Sequence, residues 1–328
     1  MSKTAFIFPG QGAQYAGMGR EFVDNFKVFS EVFKEASDRL GFDLLKTVTE
    51  GTDEELMQTE VTQPAILTIS KAILEVIKQE FGAKSDFTAG LSLGEYTALV
   101  HAGALNFSDA VVIAKERGKI MQEAVPAGVG AMAPIVGLSY EEVAGFIKEI
   151  KGLGVVEISN FNSPTQVVVS GNTEAVQAAV DFIKANSKTR VRAVFLPVSA
   201  PFHTSMLRSA SEKFAEVVEN VEVFPMDQTV LSNVTGLPYT DKTEIKHSLV
   251  KQFYSTVLWK PSVDFMLQNG VESFVEIGPG TSLSGLVRKT AAAAGIEVKI
   301  QNVENMETFP EGSGPSELGK ETSCKFVH

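Results

Sequence analysis

The sequence has little cysteine and no long apolar runs, and each shortage excludes a class of protein. One cysteine, Cys324, stands among 328 residues, which excludes an intramolecular disulfide and any metal site built from several cysteines. No apolar run approaches the roughly 20 residues that a helix needs to span a bilayer. Residues 1–8 have neither the basic segment nor the long apolar segment of a secretory signal. We therefore predict a soluble, cytoplasmic protein.

Positive charge is also scarce. The chain carries 29 Lys and Arg against 40 Asp and Glu, a formal net charge of −11. Because phosphate contacts need clustered basic side chains, this balance excludes a general nucleic-acid binder. Hydrophobic residues make up 44% and charged residues 21%, which is typical of a globular chain rather than a disordered one. The length fits about two domains, or one large domain with an insertion.

The order of apolar patterns indicates an α/β protein with an inserted subdomain. Short apolar runs ended by Pro or Gly, such as residues 4–8, predict buried strands that alternate with helices. In residues 128–197 the order is strand, helix, strand, strand, helix, strand, which is the ferredoxin-like arrangement. We predict one large domain from residues 1–127 and 198–306, with this subdomain inserted. Residues 307–328 lack apolar periodicity and predict a tail, either mobile or derived from an expression vector.

A G-x-S-x-G pattern at residues 90–94 is the strongest local signal. It lies between a predicted strand, 87–90, and a predicted helix, as the sharp turn called a nucleophile elbow requires. Such a turn projects the hydroxyl of Ser92 from the sheet, and the flanking glycines remove side chains that would clash. The helix beginning at Leu93 offers backbone N–H groups and a positive dipole end to an oxyanion. The large domain is therefore predicted to be α/β-hydrolase-like, with a parallel sheet.

A serine needs a general base at neutral pH, and the four histidines are unequal candidates for that role. His328 lies in the predicted tail, and His247 lies in a polar helix typical of a solvated surface. His101 follows Ser92 on the same predicted helix, about 13 Å along its axis and too far to accept the proton. His203 remains, and we predict that it is the base. No carboxylate stands where an α/β-hydrolase would have one, so we expect a backbone or side-chain amide to orient the imidazole.

Two further features extend this site. The glycine-rich loop at residues 8–14 follows the first strand, but it is not a dinucleotide fingerprint, because Tyr15 replaces the third glycine. After a parallel strand this loop opens on the same sheet edge as Ser92, where its N–H groups would complete an oxyanion hole. Arg117 lies in the middle of a predicted helix, a position typical of a solvated face. Buried near a nucleophilic serine, however, it would capture a substrate carboxylate through two hydrogen bonds.

Several of these segments, in this order, closely resemble the malonyl-CoA:acyl carrier protein transacylases, the acyltransferases of bacterial fatty-acid synthesis. The resemblance runs from Phe6 to about Arg288. The matching segments are residues 8–14, 63–65, 90–96, 117–118, 121–122, 170–171, 200–203, Gln252 and 276–280. Several motifs in the correct order are far more specific than any one of them.

The resemblance implies a catalytic role for five residues. Ser92 would attack the malonyl thioester and carry the acyl group, and His203 would act as its base and then as an acid. The backbone carbonyl of Gln252 would hold the imidazole, which fits the missing carboxylate. The backbone N–H groups of Gln11 and Leu93 would form the oxyanion hole.

The resemblance also implies how the substrate is selected. Arg117 would pair with the free malonyl carboxylate, and Gln63 would line the same pocket. The ring of Phe202 would crowd an α-methyl group, so malonyl is expected over methylmalonyl. Leu91 stands where many members have histidine, which concerns pocket polarity and selectivity rather than the transfer itself.

The implied reaction is a ping-pong transfer, without bound cofactor or metal, from malonyl-CoA to the phosphopantetheine thiol of acyl carrier protein. A monomer that engages neither nucleic acid nor membrane is expected. Because acyl carrier proteins and this chain are both acidic, docking is expected at a local basic patch. The candidates are Lys184, Lys188, Arg190, Arg192, Arg288 and Lys289. A serine thioesterase or esterase, a polyketide-pathway malonyl transferase and a non-catalytic binding subunit remain as alternatives.

Overall fold

The computed structural model describes residues 3–198 and 200–310. The strands of this part are β1 (Lys3–Phe8), β2 (Phe87–Gly90), β3 (Gly130–Val136), β4 (Val156–Ser163), β5 (Gln166–Asn172), β6 (Arg192–Ala193), β7 (Thr229–Val230), β8 (Val271–Ile277) and β9 (Lys299–Val303). The α-helices are α1 (Arg20–Asn25), α2 (Lys27–Leu40), α3 (Leu44–Glu50), α4 (Asp53–Met57), α5 (Thr59–Phe81), α6 (Gly94–His101), α7 (Phe107–Glu123), α8 (Tyr140–Ile147), α9 (Thr173–Asn186), α10 (Arg208–Glu219), α11 (Thr243–Gln252), α12 (Trp259–Gln268) and α13 (Ser282–Ala294).

These strands form two separate sheets. The larger sheet has the order β7-β2-β1-β8-β9, and all of its pairs are parallel. The smaller sheet has the order β4-β5-β3-β6 with antiparallel pairs, and its chain order with α8 and α9 is the ferredoxin-like one. The predicted fold class is confirmed. The small sheet lies within residues 128–197, although the exact domain boundaries stay a prediction.

The larger sheet is covered on both faces, which explains why its strands are apolar in sequence. Alternate residues of β1 point to opposite faces. Phe6 and Phe8 join a buried cluster with residues of α5, α6 and α7. Ala5 and Ile7 join another with residues of α12 and α13, including the single tryptophan, Trp259. Burial of this kind stabilises the strands from which the site is built.

Parallel register brings three loops to one edge of the larger sheet. Phe8 at the end of β1 is paired with Gly90 at the end of β2, and Ile7 with Glu276 near the end of β8. The glycine-rich loop, the serine turn and residues 278–280 therefore leave the sheet side by side, as the sequence predicted for the first two. Buried Glu276 accepts hydrogen bonds from the first turn of α13 at 3.0 and 2.7 Å, which anchors the third loop.

The small sheet is tied to the large domain beside this edge. The backbone of β4 forms a parallel bridge with Val257, through hydrogen bonds of 2.9 Å from the Phe161 N–H and 2.8 Å to the Ser159 carbonyl. This bridge fixes the position of the small sheet relative to the large domain, and with it the width of the cleft between the two sheets.

Ordered packing continues past the predicted start of the tail. Phe309 is buried, and its ring contacts those of Phe22, Phe26 and Phe81 at centroid distances of 5.7, 5.2 and 5.5 Å. Apolar periodicity misses this contact because a single aromatic residue produces no repeat. The rest of the predicted tail, 311–328, lies outside the described residues, as do Cys324 and His328.

Candidate active site

The serine turn needs the glycines that flank it. Ser92 has a φ of 55°, a left-handed conformation that side chains seldom adopt. A Cβ on Gly90 would lie 1.9 Å from the carbonyl carbon of Gly94, and one on Gly94 would lie 2.1 Å from the carbonyl oxygen of Phe8. Only glycine fits at both positions, so the local pattern follows from close backbone packing. Backbone strain of this kind clusters at functional sites.

Ser92 and His203 lie within hydrogen-bond distance of each other. Ser92 Oγ is 2.8 Å from His203 Nε2, and His203 Nδ1 is 2.7 Å from the backbone oxygen of Gln252. A carbonyl oxygen only accepts, so in a neutral imidazole the proton is on Nδ1 and Nε2 is free to accept. The Ser92 hydroxyl then donates to Nε2, as attack by the serine requires.

The electrostatic setting keeps this imidazole neutral. Burial, together with the positive charge of Arg117, lowers the pKa of His203 to about 3, while the bond to Gln252 opposes that change. At neutral pH the ring is therefore available to accept a proton. His203 also has a positive φ, of 61°, so both members of the pair lie on strained backbone.

Arg117 is buried at the same place, although its position in α7 alone predicted a solvated face. It is 1% exposed, and its Nη2 donates to Ser92 Oγ at 3.0 Å and to Gln252 Oε1 at 2.9 Å. Its Nη1 donates to Gln63 Oε1 at 2.8 Å. Burial lowers its pKa, yet within the described chain no carboxylate lies at ion-pair distance from it. A buried guanidinium with only neutral acceptors is a receptor for an anion.

These groups line a cavity of about 450 Å³ between the two sheets. Members from the predicted site are Gln11, Gln63, Ser92, Arg117, Phe202 and His203, and Leu91 lines the cavity beside them. Leu93 is fully buried just behind the serine. Among the turn, loop and cap hydrogen bonds of residues 3–198 and 200–310, the backbone N–H groups of Gln11 and Leu93 donate to no backbone carbonyl, as groups reserved for an oxyanion would. The structure thus brings all eight predicted residues together, and their roles stay predictions.

The other candidates lie elsewhere. His101 is buried, with Nε2 3.0 Å from Ser85 Oγ and its ring stacked on Phe6, and His247 is exposed. The six basic candidates for docking are all exposed, and in the described part of the chain none forms an ion pair. Of these, Lys289 lines the cavity and donates to Gln166 Oε1 at 3.4 Å. The patch therefore reaches the cavity mouth.

Three buried residues of the site were missed by the sequence analysis. Asn233 Oδ1 accepts from the Ser92 N–H at 2.6 Å, and its Nδ2 donates to the Gly90 carbonyl at 2.8 Å, so it clamps the serine turn. Behind it, Tyr239 donates to Glu95 Oε1 at 2.5 Å. A signal for Asn233 existed, because it follows β7, the neighbour of β2 in the sheet, and so lies at the same edge.

The described residues contain neither a metal cluster nor a membrane-spanning helix. No group of three or more His, Cys, Asp or Glu in residues 3–198 and 200–310 is arranged to hold a metal ion. In that same part of the chain, no helix is long and apolar enough to cross a membrane.

Fold and site together define the class of this protein as an acyltransferase. The family described as the acyl transferase domain matches residues 5–311. The malonyl CoA-acyl carrier protein transacylase of Bacillus subtilis is 45% identical over 290 residues, 88% of this chain and 90% of the relative. The transacylase structure from Clostridium perfringens has a TM-score of 0.89 at 43% identity, over 94% of this chain and 95% of the other.

A further structure is a malonyl-transacylase in complex with its type II PKS acyl-carrier protein. It has a TM-score of 0.89 at 40% identity, over 94% of this chain and 97% of the other. The chain thus belongs to the malonyl CoA-acyl carrier protein transacylase family of acyl transferases, and the resemblance noted from its motifs is confirmed.

Proposed function

We propose that this acyltransferase moves a malonyl group from malonyl-CoA to the phosphopantetheine thiol of acyl carrier protein, in fatty-acid biosynthesis, through an ester on Ser92. One observation carries the proposal: a single hydroxyl contacts both a neutral imidazole, at 2.8 Å, and a buried guanidinium, at 3.0 Å. The first contact provides a nucleophile, and the second provides a binding group for an acyl chain that ends in a carboxylate.

The first half-reaction forms the ester. His203 Nε2 takes the proton from Ser92 as Oγ attacks the thioester carbonyl, and the N–H groups of Gln11 and Leu93 stabilise the oxyanion. The Gln252 carbonyl accepts from Nδ1 and stabilises the imidazolium. The C–S bond then breaks, and the departing CoA thiolate takes the proton from His203. In the second half-reaction, the carrier-protein thiol attacks the ester by the same steps in reverse.

Arg117 couples substrate binding to the base. Its charge is the second cause of the low pKa of His203, so a malonyl carboxylate paired with it would raise that pKa and strengthen the base. Gln63, which holds Nη1, orients the guanidinium. Phe202 lines the cavity next to His203, where its ring would crowd an α-methyl branch, and Leu91 gives the same wall an apolar side chain.

The test is the mass of the intact protein after brief exposure to malonyl-CoA without acceptor. We expect a gain of one malonyl group per chain, located on the peptide that contains Ser92, and less adduct from methylmalonyl-CoA. Adding acyl carrier protein should discharge the ester. Steady thiol release without acceptor would instead favour a serine hydrolase, and no adduct at all would favour a binding subunit.

We also propose that acyl carrier protein docks on the exposed basic patch. Arg192 is paired with Val136, and Val136 with Gln166, which contacts Lys289. Arg192 on β6 and Gln166 on β5 are therefore about two strand spacings apart, with β3 between them. This distance separates the basic residues near Arg192 from Lys289. An acidic carrier would meet clustered positive charge beside the cavity, despite the net charge of −11.

Reversing the charges of Lys188, Arg190 and Arg192 to Glu should raise the KM for acyl carrier protein at least about tenfold. Formation of the malonyl ester from malonyl-CoA should be unchanged, because none of the three lines the cavity. Steady-state kinetics with varied carrier protein measure the effect. The control reverses three exposed lysines on α2 and α3, namely Lys27, Lys34 and Lys46. An equal KM in both triple variants would remove this patch from the proposal.

All the residues of the site come from one chain. We therefore propose that the protein acts as a monomer. We further propose that it acts in the cytoplasm with no bound cofactor or metal.

A further inference from the structure

A buried carboxylate lies behind the active site, and none of the steps above uses it. Glu95 is on α6, three residues after the nucleophile, and is 1% exposed. Its Oε1 accepts from the Tyr239 hydroxyl at 2.5 Å. Its Oε2 accepts from Gln252 Nε2 at 2.6 Å and from the Asn233 N–H at 3.3 Å. Burial of a carboxylate costs folding free energy unless hydrogen bonds compensate it. A carboxylate kept at this position therefore indicates a role in the site.

The side-chain amide of Gln252 has two ends with different tasks. Its Nε2 donates to Glu95 and to the Ser92 carbonyl, the latter at 3.0 Å, while its Oε1 accepts from Arg117 Nη2 at 2.9 Å. An amide can rotate to exchange its oxygen and nitrogen. After such a rotation, NH₂ would face the guanidinium, and the oxygen would face a carboxylate and a carbonyl. Glu95 is the charged partner that opposes this rotation most strongly.

We propose that Glu95 is a positioning residue that holds the Gln252 amide with its oxygen toward Arg117 and holds Asn233 against the serine turn. The guanidinium is then kept beside Ser92, where the carboxylate of the acyl group must bind. This inference rests on the proposed function, since it assigns Glu95 an effect on the selection of malonyl.

The charge of Glu95 supports the same conclusion. The negative charge favours the charged form of buried Arg117, which no carboxylate contacts directly in the described chain. Burial raises the pKa of Glu95 to about 7, against the opposing hydrogen bonds from Tyr239, Asn233 and Gln252 and the charge of Arg117. Protonation would remove the charge and turn one accepting oxygen into a donor. Malonylation of Ser92 should therefore fall as the pH drops from about 8 to about 6.

In the described part of the chain, no other group that faces Glu95 is expected to change its charge in that window. The titratable neighbours are Tyr239, Tyr96 and Arg117. Burial raises the pKa of both tyrosines well above its usual range, and the pKa of His203 lies far below the window, at about 3. A loss of activity between pH 8 and 6 is assigned to Glu95 when the wild type shows it and Glu95→Gln does not.

The experiment measures malonylation of Ser92 in Glu95→Gln and Glu95→Ala. Readouts are the ratio of kcat/KM for malonyl-CoA to that for acetyl-CoA, and the pH profile. Glu95→Gln keeps an accepting oxygen but carries no charge. Its malonylation rate should therefore no longer decline below pH 7, and its ratio of kcat/KM for malonyl-CoA to that for acetyl-CoA should be about tenfold lower than in the wild type. Glu95→Ala loses both and should lower the ratio about 10- to 100-fold, as expected for a hydrogen bond to a charged group.

A matched control separates positioning from stability. Glu75→Gln changes a partly buried carboxylate that pairs with Lys71 and Lys78 on α5, away from the cavity, and should lower the melting temperature without changing the ratio. The proposal is overturned if folded Glu95→Gln keeps both the wild-type ratio and the wild-type pH profile. If Glu95→Ala does not fold, Glu95→Gln decides alone. Failure of the wild-type protein to take up malonyl would instead refute the proposed function, since that result does not depend on Glu95.

Discussion

Ser92→Ala is expected to remove the malonyl adduct and to lower transfer to acyl carrier protein by roughly 10⁴- to 10⁶-fold. Without the hydroxyl no ester can form, and the carrier-protein thiol would have to attack the thioester of malonyl-CoA directly. Alanine at a φ of 55° is under no more strain than serine, since both carry a Cβ, so the fold should persist.

The measurements for Ser92→Ala are intact mass after exposure to malonyl-CoA and the rate of carrier-protein malonylation. Ser282→Ala is the matched control, because Ser282 also lines the cavity but is not among the described hydrogen-bond partners of His203 and Arg117. An adduct that survives in Ser92→Ala, or transfer within tenfold of the wild type, would contradict the assignment of the nucleophile.

Arg117→Ala is expected to lower kcat/KM for malonyl-CoA by roughly 10²- to 10³-fold and to improve the relative use of acetyl-CoA. The physical reason lies in the neutral partners of the guanidinium, namely the side-chain oxygens of Ser92, Gln63 and Gln252. A carboxylate that displaces one of them binds a buried cation in low-dielectric surroundings, where the attraction is strong. An uncharged acyl group gains nothing from that cation.

Two comparisons make the result for Arg117 specific. Arg117→Lys keeps the charge but loses the planar fork, so it should recover only part of the malonyl rate. Arg39→Ala removes an exposed arginine that is paired with Asp109 and should change neither substrate. If malonyl and acetyl rates fall equally in folded Arg117→Ala, the carboxylate-binding role is wrong.

The nucleophile, its base and the carboxylate-binding arginine were not equally predictable from the sequence. The serine turn was predictable because it is local, since backbone collisions within a few residues dictate its glycines. His203 followed by elimination among four histidines. For Arg117, position in the chain favoured a solvated surface, and only the resemblance to a family pointed to the site. Helical periodicity tells which residues share a face, but not what packs against that face.

The sequence by itself determined the sheet type, the nucleophile elbow and the inserted subdomain, because short-range patterns of apolar residues and glycines control them. Only the tertiary structure decided that Arg117 is buried and that Glu95 faces Gln252. Those contacts join residues 135 and 157 positions apart. Hydrogen-bond partners at such separations are selected by how whole helices and strands pack, and no local pattern in the chain encodes them.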